Sequence, residues 1–216
     1  VRERFGEALL DWNLGVLDSV CNALGYAHSK EIVHRDLKPD NVMIGAFGEV
    51  YVLDWGIAAS LREDPQGRLP YIGDSGQPAG TPCFMAPELL DADPTQVDKR
   101  TDVYLVGAVL HELLAGRPPH GGSTLREVTE SILRSQPDLP EHVPAPLAAI
   151  CRKAMHPNKE ERYASIEELQ QELRSYQQRR VATALRQEAQ QRLATLEELV
   201  TLAADDVRRS EVFSLF

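Results

Sequence analysis

The sequence predicts an α+β fold that is mainly helical, with one small β-hairpin and a C-terminal helical extension. Three features predict it. Leucines recur at helical spacing near the N-terminus. Two short β-rich runs flank a gap containing two glycines. No glycine follows Gly122 and no proline follows Pro157, so the last quarter of the chain lacks helix breakers.

Taken in order, residues 7–28 read as a helix. Leu10, Leu14, Leu17, Cys21 and Leu24 recur at steps of three and four, which gives one apolar face. "EIVH" is a short strand candidate. "VMI" and "VYVLD" are β-rich, and Gly45 and Gly48 between them predict a hairpin. The polar stretch "REDPQGRLPYIGDSGQPAGTP" has no periodicity, and a loop of that length inside a domain is usually functional. Residues 101–115 are apolar on nearly all sides, which predicts a buried helix. From Leu147 onward the chain reads helical. "SIEE", Ser165–Glu168, is a capping box opening a helix with Ile166, Leu169, Leu173 and Tyr176 on one face. Leu185, Ala189, Leu193 and Leu196 continue a thinner apolar stripe through 177–204, expected to pack on a partner, on a second copy or on the domain itself. The expected division is a domain over 1–176 and a helical extension or linker over 177–216.

The net charge of -10 argues against general nucleic-acid binding, which wants a basic surface. It leaves basic peptide partners and a merely solvated acidic surface both open. Cys21, Cys83 and Cys151 are few, far apart and without metal-ligand spacing, which fits a reduced, cytoplasmic setting. The N-terminus lacks the apolar core of a signal peptide. The longest apolar run, Val103–Leu110, is too short to span a bilayer. A membrane tether outside these residues stays open.

The chemistry concentrates in "HRDLKPDN", His34–Asn41. Phosphoryl transfer from ATP to a hydroxyl needs a carboxylate to orient and deprotonate that hydroxyl. It also needs ligands for Mg²⁺ and positive charge where the phosphoryl group passes. Asp36 can serve as the base, Lys38 as the cation, and Asn41 as an amide-oxygen ligand. Asp54 in "LDWG" is a second hard ligand, and Gly56 permits a sharp turn. Hard oxygen donors suit Mg²⁺, which takes few protein ligands. The interval from Asn41 to Asp54 fits one hairpin, which returns both ligands to the same end.

These motifs resemble those of the eukaryotic-type protein kinases, in their bacterial Ser/Thr branch. "HRDLKPDN" resembles the catalytic loop, and "DWG" stands where the family usually has DFG. "GTPCFMAPE", Gly80–Glu88, resembles the end of the activation segment. "TDVYLVGAVLHELLAGRPP" resembles the central buried helix. The order holds from about residue 7 to 176. The resemblance implies a mainly helical kinase C-lobe that uses ATP and Mg²⁺ on Ser/Thr of protein substrates. It implies Asp36 as catalytic base, and Asn41 and Asp54 on the metal. Lys38 would lie near the phosphates and Met43 would floor the adenine pocket. It further implies that His34 packs with Trp55 in a column joining two lobes. Asp102 would brace the catalytic-loop backbone, and Arg162 would pair with Glu88. Lys38 and Thr81 point to the Ser/Thr class, with the Thr81 hydroxyl bridging Asp36 and Lys38. Arg35 beside Asp36 suggests control by a phosphate on the activation segment, with Ser75 the first choice of site. Trp55 in place of Phe is a departure, expected to alter packing rather than chemistry.

The sequence lacks a Gly-rich phosphate loop. Its only lysine before the catalytic loop, Lys30, lies in the connection to that loop. The β-rich N-lobe is therefore expected to be truncated from this chain. Two rival readings are a non-catalytic kinase-like scaffold and a small-molecule kinase of the aminoglycoside phosphotransferase type. The complete catalytic loop opposes the first, and the peptide-binding "GTPCFMAPE" opposes the second.

Overall fold

The computed structural model describes residues 2–63, 67, 69–74, 79–91 and 93–213. The chain divides into two compact units, Val1–Arg174 and Ser175–Phe216.

The first unit opens with helix α1, Arg2–Ser29. Leu14, Leu17, Cys21 and Leu24 are buried, joined by Val20 and Ala27. Strand β1, Ile32–Val33, follows at once. Strands β2, Val42–Ile44, and β3, Val50–Val52, form the expected antiparallel hairpin, with Val42 opposite Val52 and Ile44 opposite Val50. Its turn closes through the Gly48 N–H to the Gly45 carbonyl at 3.1 Å, and Gly48 has φ 89°, a region open to glycine. Strand β4, Ala59–Ser60, pairs antiparallel with β1. No alternation in the sequence announces β4. Its two residues are held by pairing with β1, and Ala59 is buried against the core.

Helix α2, Lys99–Ala115, is the centre of the unit, and every residue from Thr101 to His111 is buried. Asp98 caps it in a reciprocal box with Thr101, and Gly116 at φ 70° ends it. Gly107 lets α2 approach the next helices closely: a Cβ there would sit 2.8 Å from side-chain atoms of Ala154 and Met155. Helix α3, Leu125–Arg134, capped by Thr124, buries only Ile132. Helix α4 covers Ala145–Ala154.

The expectation that the chain reads helical from Leu147 onward holds except over 155–165. Residues 155–165 are irregular apart from one 3-10 turn at Lys159–Glu161. His156, Pro157 and Arg100 of this region and of α2 supply carbonyls to the Arg162 guanidinium, which folds the segment around it. Helix α5, Ile166–Phe213, then begins at Ser165, whose hydroxyl accepts the Glu168 N–H at 3.3 Å. Glu168 reaches back one residue further than a capping box requires, to the Ala164 N–H at 2.7 Å. Ile166, Leu169 and Leu173 are buried. Gln170 and Arg174 bind Asp18 of α1, Arg174 through both carboxylate oxygens.

In the second unit α5 exposes its apolar stripe, including Leu185, Leu193 and Leu196. Among the described residues no helix is long and apolar enough to cross a membrane, and all three cysteines are free thiols.

Candidate active site

The loop between β1 and β2 carries the candidate groups, and a buried carboxylate shapes it. Asp102, in the first turn of α2, is fully buried. It accepts the His34 N–H at 2.8 Å and the Arg35 N–H at 3.0 Å. Those bonds hold Arg35 at φ 68°, a left-handed conformation that costs energy for a side-chain-bearing residue. The chain therefore reverses between His34 and Asp36. Asp102 also accepts from His28 Nε2 at 2.8 Å, a residue the motifs did not single out. Its nearness to Asp102 arises only when the end of α1 packs beside α2.

Asp36 is then held from two sides. Its Oδ1 accepts the Thr81 N–H at 2.7 Å, and Lys38 Nζ lies 3.3 Å from its Oδ2. Lys38 also donates to the Thr81 hydroxyl at 2.7 Å. The expected hydroxyl bridge is thus divided: Thr81 meets Lys38 with its side chain and Asp36 with its backbone. Gly80 makes this approach possible. It has φ 125°, and a Cβ there would lie 3.1 Å from the Arg35 carbonyl oxygen.

Asn41 is buried and donates from Nδ2 to the Asp36 carbonyl at 2.8 Å. That bond leaves its Oδ1 as the atom with acceptor capacity for a cation. The hairpin register brings the metal candidates together, because the Leu53 N–H donates to the Asn41 carbonyl at 2.8 Å. Asp54 follows directly, exposed and at φ 57°, with the Gly56 N–H 3.4 Å from its Oδ1. Among the described residues no cluster of three His, Cys, Asp or Glu could cage a metal. An amide oxygen with one exposed carboxylate is instead the sparse, hard donor set that Mg²⁺ accepts when phosphates and waters complete its shell.

The remaining residues place as follows. His34 is fully buried, with Nε2 2.9 Å from the Leu53 carbonyl and its ring edge-on to Trp55 at 4.6 Å. Trp55 donates its indole N–H to the Val52 carbonyl at 2.9 Å, a bond phenylalanine lacks, so the indole is tied to β3. Met43 lies on β2, about half exposed at 48%. Arg35 is buried and donates from Nε to the Ile57 carbonyl at 2.7 Å, with Nη2 on the same oxygen. Its side chain thus meets the segment that follows Asp54. Burial holds its pKa below the usual arginine range. Ser75 lies outside the described residues. Glu88 and Arg162 form a two-bonded ion pair, described below with its energetics.

A mainly helical domain that gathers an acceptor carboxylate, a cation and two hard oxygen donors around one hairpin suits phosphoryl transfer to a hydroxyl. Comparison with known families agrees. The protein kinase domain matches residues 14–174. The serine/threonine-protein kinase PknD of Protochlamydia amoebophila is 34% identical over 178 residues, covering 74% of this chain and 18% of that protein. PknD of Chlamydia trachomatis serovar D is 32% identical over 186 residues, covering 76% and 20%. PknD of Chlamydia felis is 32% identical over 182 residues, covering 76% and 19%. The chain belongs to the protein kinase family, in its bacterial serine/threonine branch. It spans about a fifth of the length of the curated relatives it matches.

Proposed function

We propose that the whole protein transfers the γ-phosphate of ATP to Ser or Thr hydroxyls of protein substrates. The observation that carries this reading is the double hold on Asp36, with the Thr81 N–H on one oxygen and Lys38 on the other. A carboxylate fixed in this way can orient a hydroxyl and accept its proton as attack begins. Lys38, tethered by the Thr81 hydroxyl, keeps a positive charge beside that point. Asn41 and Asp54 would hold Mg²⁺, which when bound neutralises phosphate charge. Met43 would lie under the adenine. The Gly-rich loop and strand lysine that clamp the phosphates in kinases are not found in this sequence, so the activity is proposed of the whole protein. Control by a phosphate near Ser75, read by Arg35, is part of the same proposal.

The test is a pair of isosteric changes in the full-length protein. Asp54→Asn should weaken MgATP binding, because Mg²⁺ holds an anionic oxygen better than an amide. Asp36→Asn should leave MgATP binding nearly intact and depress turnover, because the loss falls on the transition state. Equal loss of nucleotide affinity in both variants would reverse the assignment. Unchanged turnover in Asp36→Asn would favour the scaffold reading.

A further inference from the structure

The second unit holds an apolar helix face whose described residues are exposed. Leu185, Leu193, Leu196 and Val200 are 61, 59, 57 and 69% exposed. Scattered exposed leucines need no explanation, but these align. Ala182 and Leu193 are eleven residues apart, as are Leu185 and Leu196, and Ala189 and Val200; the sequence continues the pattern with Ala204 and Val207. An eleven-residue repeat keeps about 3.67 residues per turn, so one stripe stays in line along a paired helix. Residues 182–207 make such a helix about 39 Å long at about 1.5 Å per residue. An isolated helix gains little stability in water without a packed face.

Charge identifies the partner. Residues 179–192 carry Arg179, Arg180, Arg186 and Arg192 against one acid, Glu188. Residues 193–206 carry Glu197, Glu198, Asp205 and Asp206 and no basic residue. A parallel second copy would set basic half on basic half. It would also face Ala182 with Ala182 and Ala189 with Ala189, leaving gaps in the seam. An antiparallel copy centred near residue 191 does the reverse. It sets Ala182 against the second copy's Val200, Ala189 against its Leu193, and Leu185 against its Leu196. Each alanine then meets a larger residue, and Leu185 meets Leu196. The same register brings Arg186 beside the second copy's Glu197, on the same edge of the seam. On the other edge Glu188, which within one helix meets Arg192 at 2.6 Å, gains the second copy's Arg192 as an alternative partner.

We propose that residues 179–203 pair with the same segment of a second copy as an antiparallel two-stranded coiled coil. The segment is thus a self-association element for two kinase chains.

Sedimentation equilibrium of the 216-residue protein tests this. A dimer is expected, and Leu185→Asp with Leu196→Asp should raise its dissociation constant by at least about 100-fold. Arg186→Glu should raise it on the order of 10-fold, and adding Glu197→Arg should restore it, which a folding defect would not do. Orientation is read by oxidative cross-linking of Ala182→Cys and Val200→Cys. The antiparallel pair links the two variants only when they are mixed. Self-linking of each variant alone would overturn the proposal. So would a monomer at about 100 µM, or a dimer indifferent to Leu185→Asp.

Discussion

His28 and Asp102 meet at 2.8 Å in a buried site, one from the last turn of α1 and the other from the first turn of α2. A carboxylate only accepts, so Nε2 carries the proton and the imidazole donates. Nδ1 of His28 is buried with no hydrogen-bond partner among the described residues. The histidine is therefore oriented by Asp102 alone. Asp102 in turn satisfies the N–H groups of His34 and Arg35 with its two oxygens. One side chain thus joins two helices to the loop that carries Asp36.

Asp102→Ala should accordingly be among the most damaging single changes in the domain. It strands two backbone N–H groups and an imidazole, each at a cost of about 1–3 kcal/mol if buried and unpaired. It also removes what holds Arg35 in its left-handed conformation. A urea midpoint equal to that of the parent chain would show that the loop is held by something else.

Arg162 should matter through its pairing with Glu88. Nη1 meets Oε1 at 2.7 Å and Nη2 meets Oε2 at 2.8 Å, with 0% and 8% of the two side chains exposed. Thr101 donates to the same Oε1 at 2.9 Å, and the guanidinium lies 4.7 Å from the Tyr104 ring centroid. Arg162→Ala leaves Glu88 charged and buried, at a cost on the order of 3–5 kcal/mol. Arg162→Lys should recover little of it, because an ammonium cannot match both oxygens at once. An unchanged melting temperature in Arg162→Ala would show that the pair adds nothing to the native state.

Residues of this pair lie 74 apart in sequence, and that distance separates what could be read early from what could not. α1 follows from local spacing because it buries the face its periodicity marks; the hairpin follows from two β-rich runs around a glycine-containing turn, and α2 from being apolar on nearly all sides. Asp36, Lys38 and Asn41 lie within six residues, so their chemistry is visible as a string. Glu88–Arg162 and the Asp102 brace were expected only from resemblance to other kinases, since nothing local couples them. His28 had no such signal. α3 carries a stripe of Leu125, Val128 and Ile132 at helical steps, although it buries only Ile132, so its signal was present in the sequence. Residues 155–165 are marked as a break only by Pro157 and the cap at Ser165, since the carbonyls that bind Arg162 leave no mark on composition.

His120 should contribute an acid-sensitive part of stability. It is buried, with Nε2 2.8 Å from the Tyr104 hydroxyl and Nδ1 3.2 Å from the Ser131 hydroxyl. Burial, with repulsion from His111, lowers its pKa from 6.5 to about 4. The unfolded chain takes up this proton near pH 6.5 and the folded chain only near pH 4. Between those values the unfolded state binds more protons, so stability falls as pH falls and levels off below the folded pKa. The total loss is on the order of 3 kcal/mol. His120→Gln cannot titrate, so its stability should fall less steeply than the parent's through that window. Identical slopes in urea titrations of the two proteins would place the His120 proton on both states alike.

The 216 residues by themselves should transfer phosphate from ATP to protein at a negligible rate. The groups proposed to act on the hydroxyl are assembled, and Asp36, Lys38 and Thr81 already hold one another. The groups that would grip the nucleotide are not. Met43, Ile44, Tyr51 and Leu53, on and beside the hairpin, are each more than a third exposed, so the wall proposed for the nucleotide is open to water. No Gly-rich loop or strand lysine in the sequence can fix the phosphates in line with a hydroxyl. Positioning is worth on the order of 7–11 kcal/mol in such reactions, and a chain that cannot position ATP forgoes most of it. Joining these residues to the β-rich lobe of a related serine/threonine kinase should restore transfer, measured with radiolabelled ATP and a Ser/Thr-containing protein acceptor. Asp36→Ala in the joined protein should abolish it. Robust transfer by the 216 residues alone, lost on Asp36→Ala, would mean that the loop can position nucleotide without a second lobe.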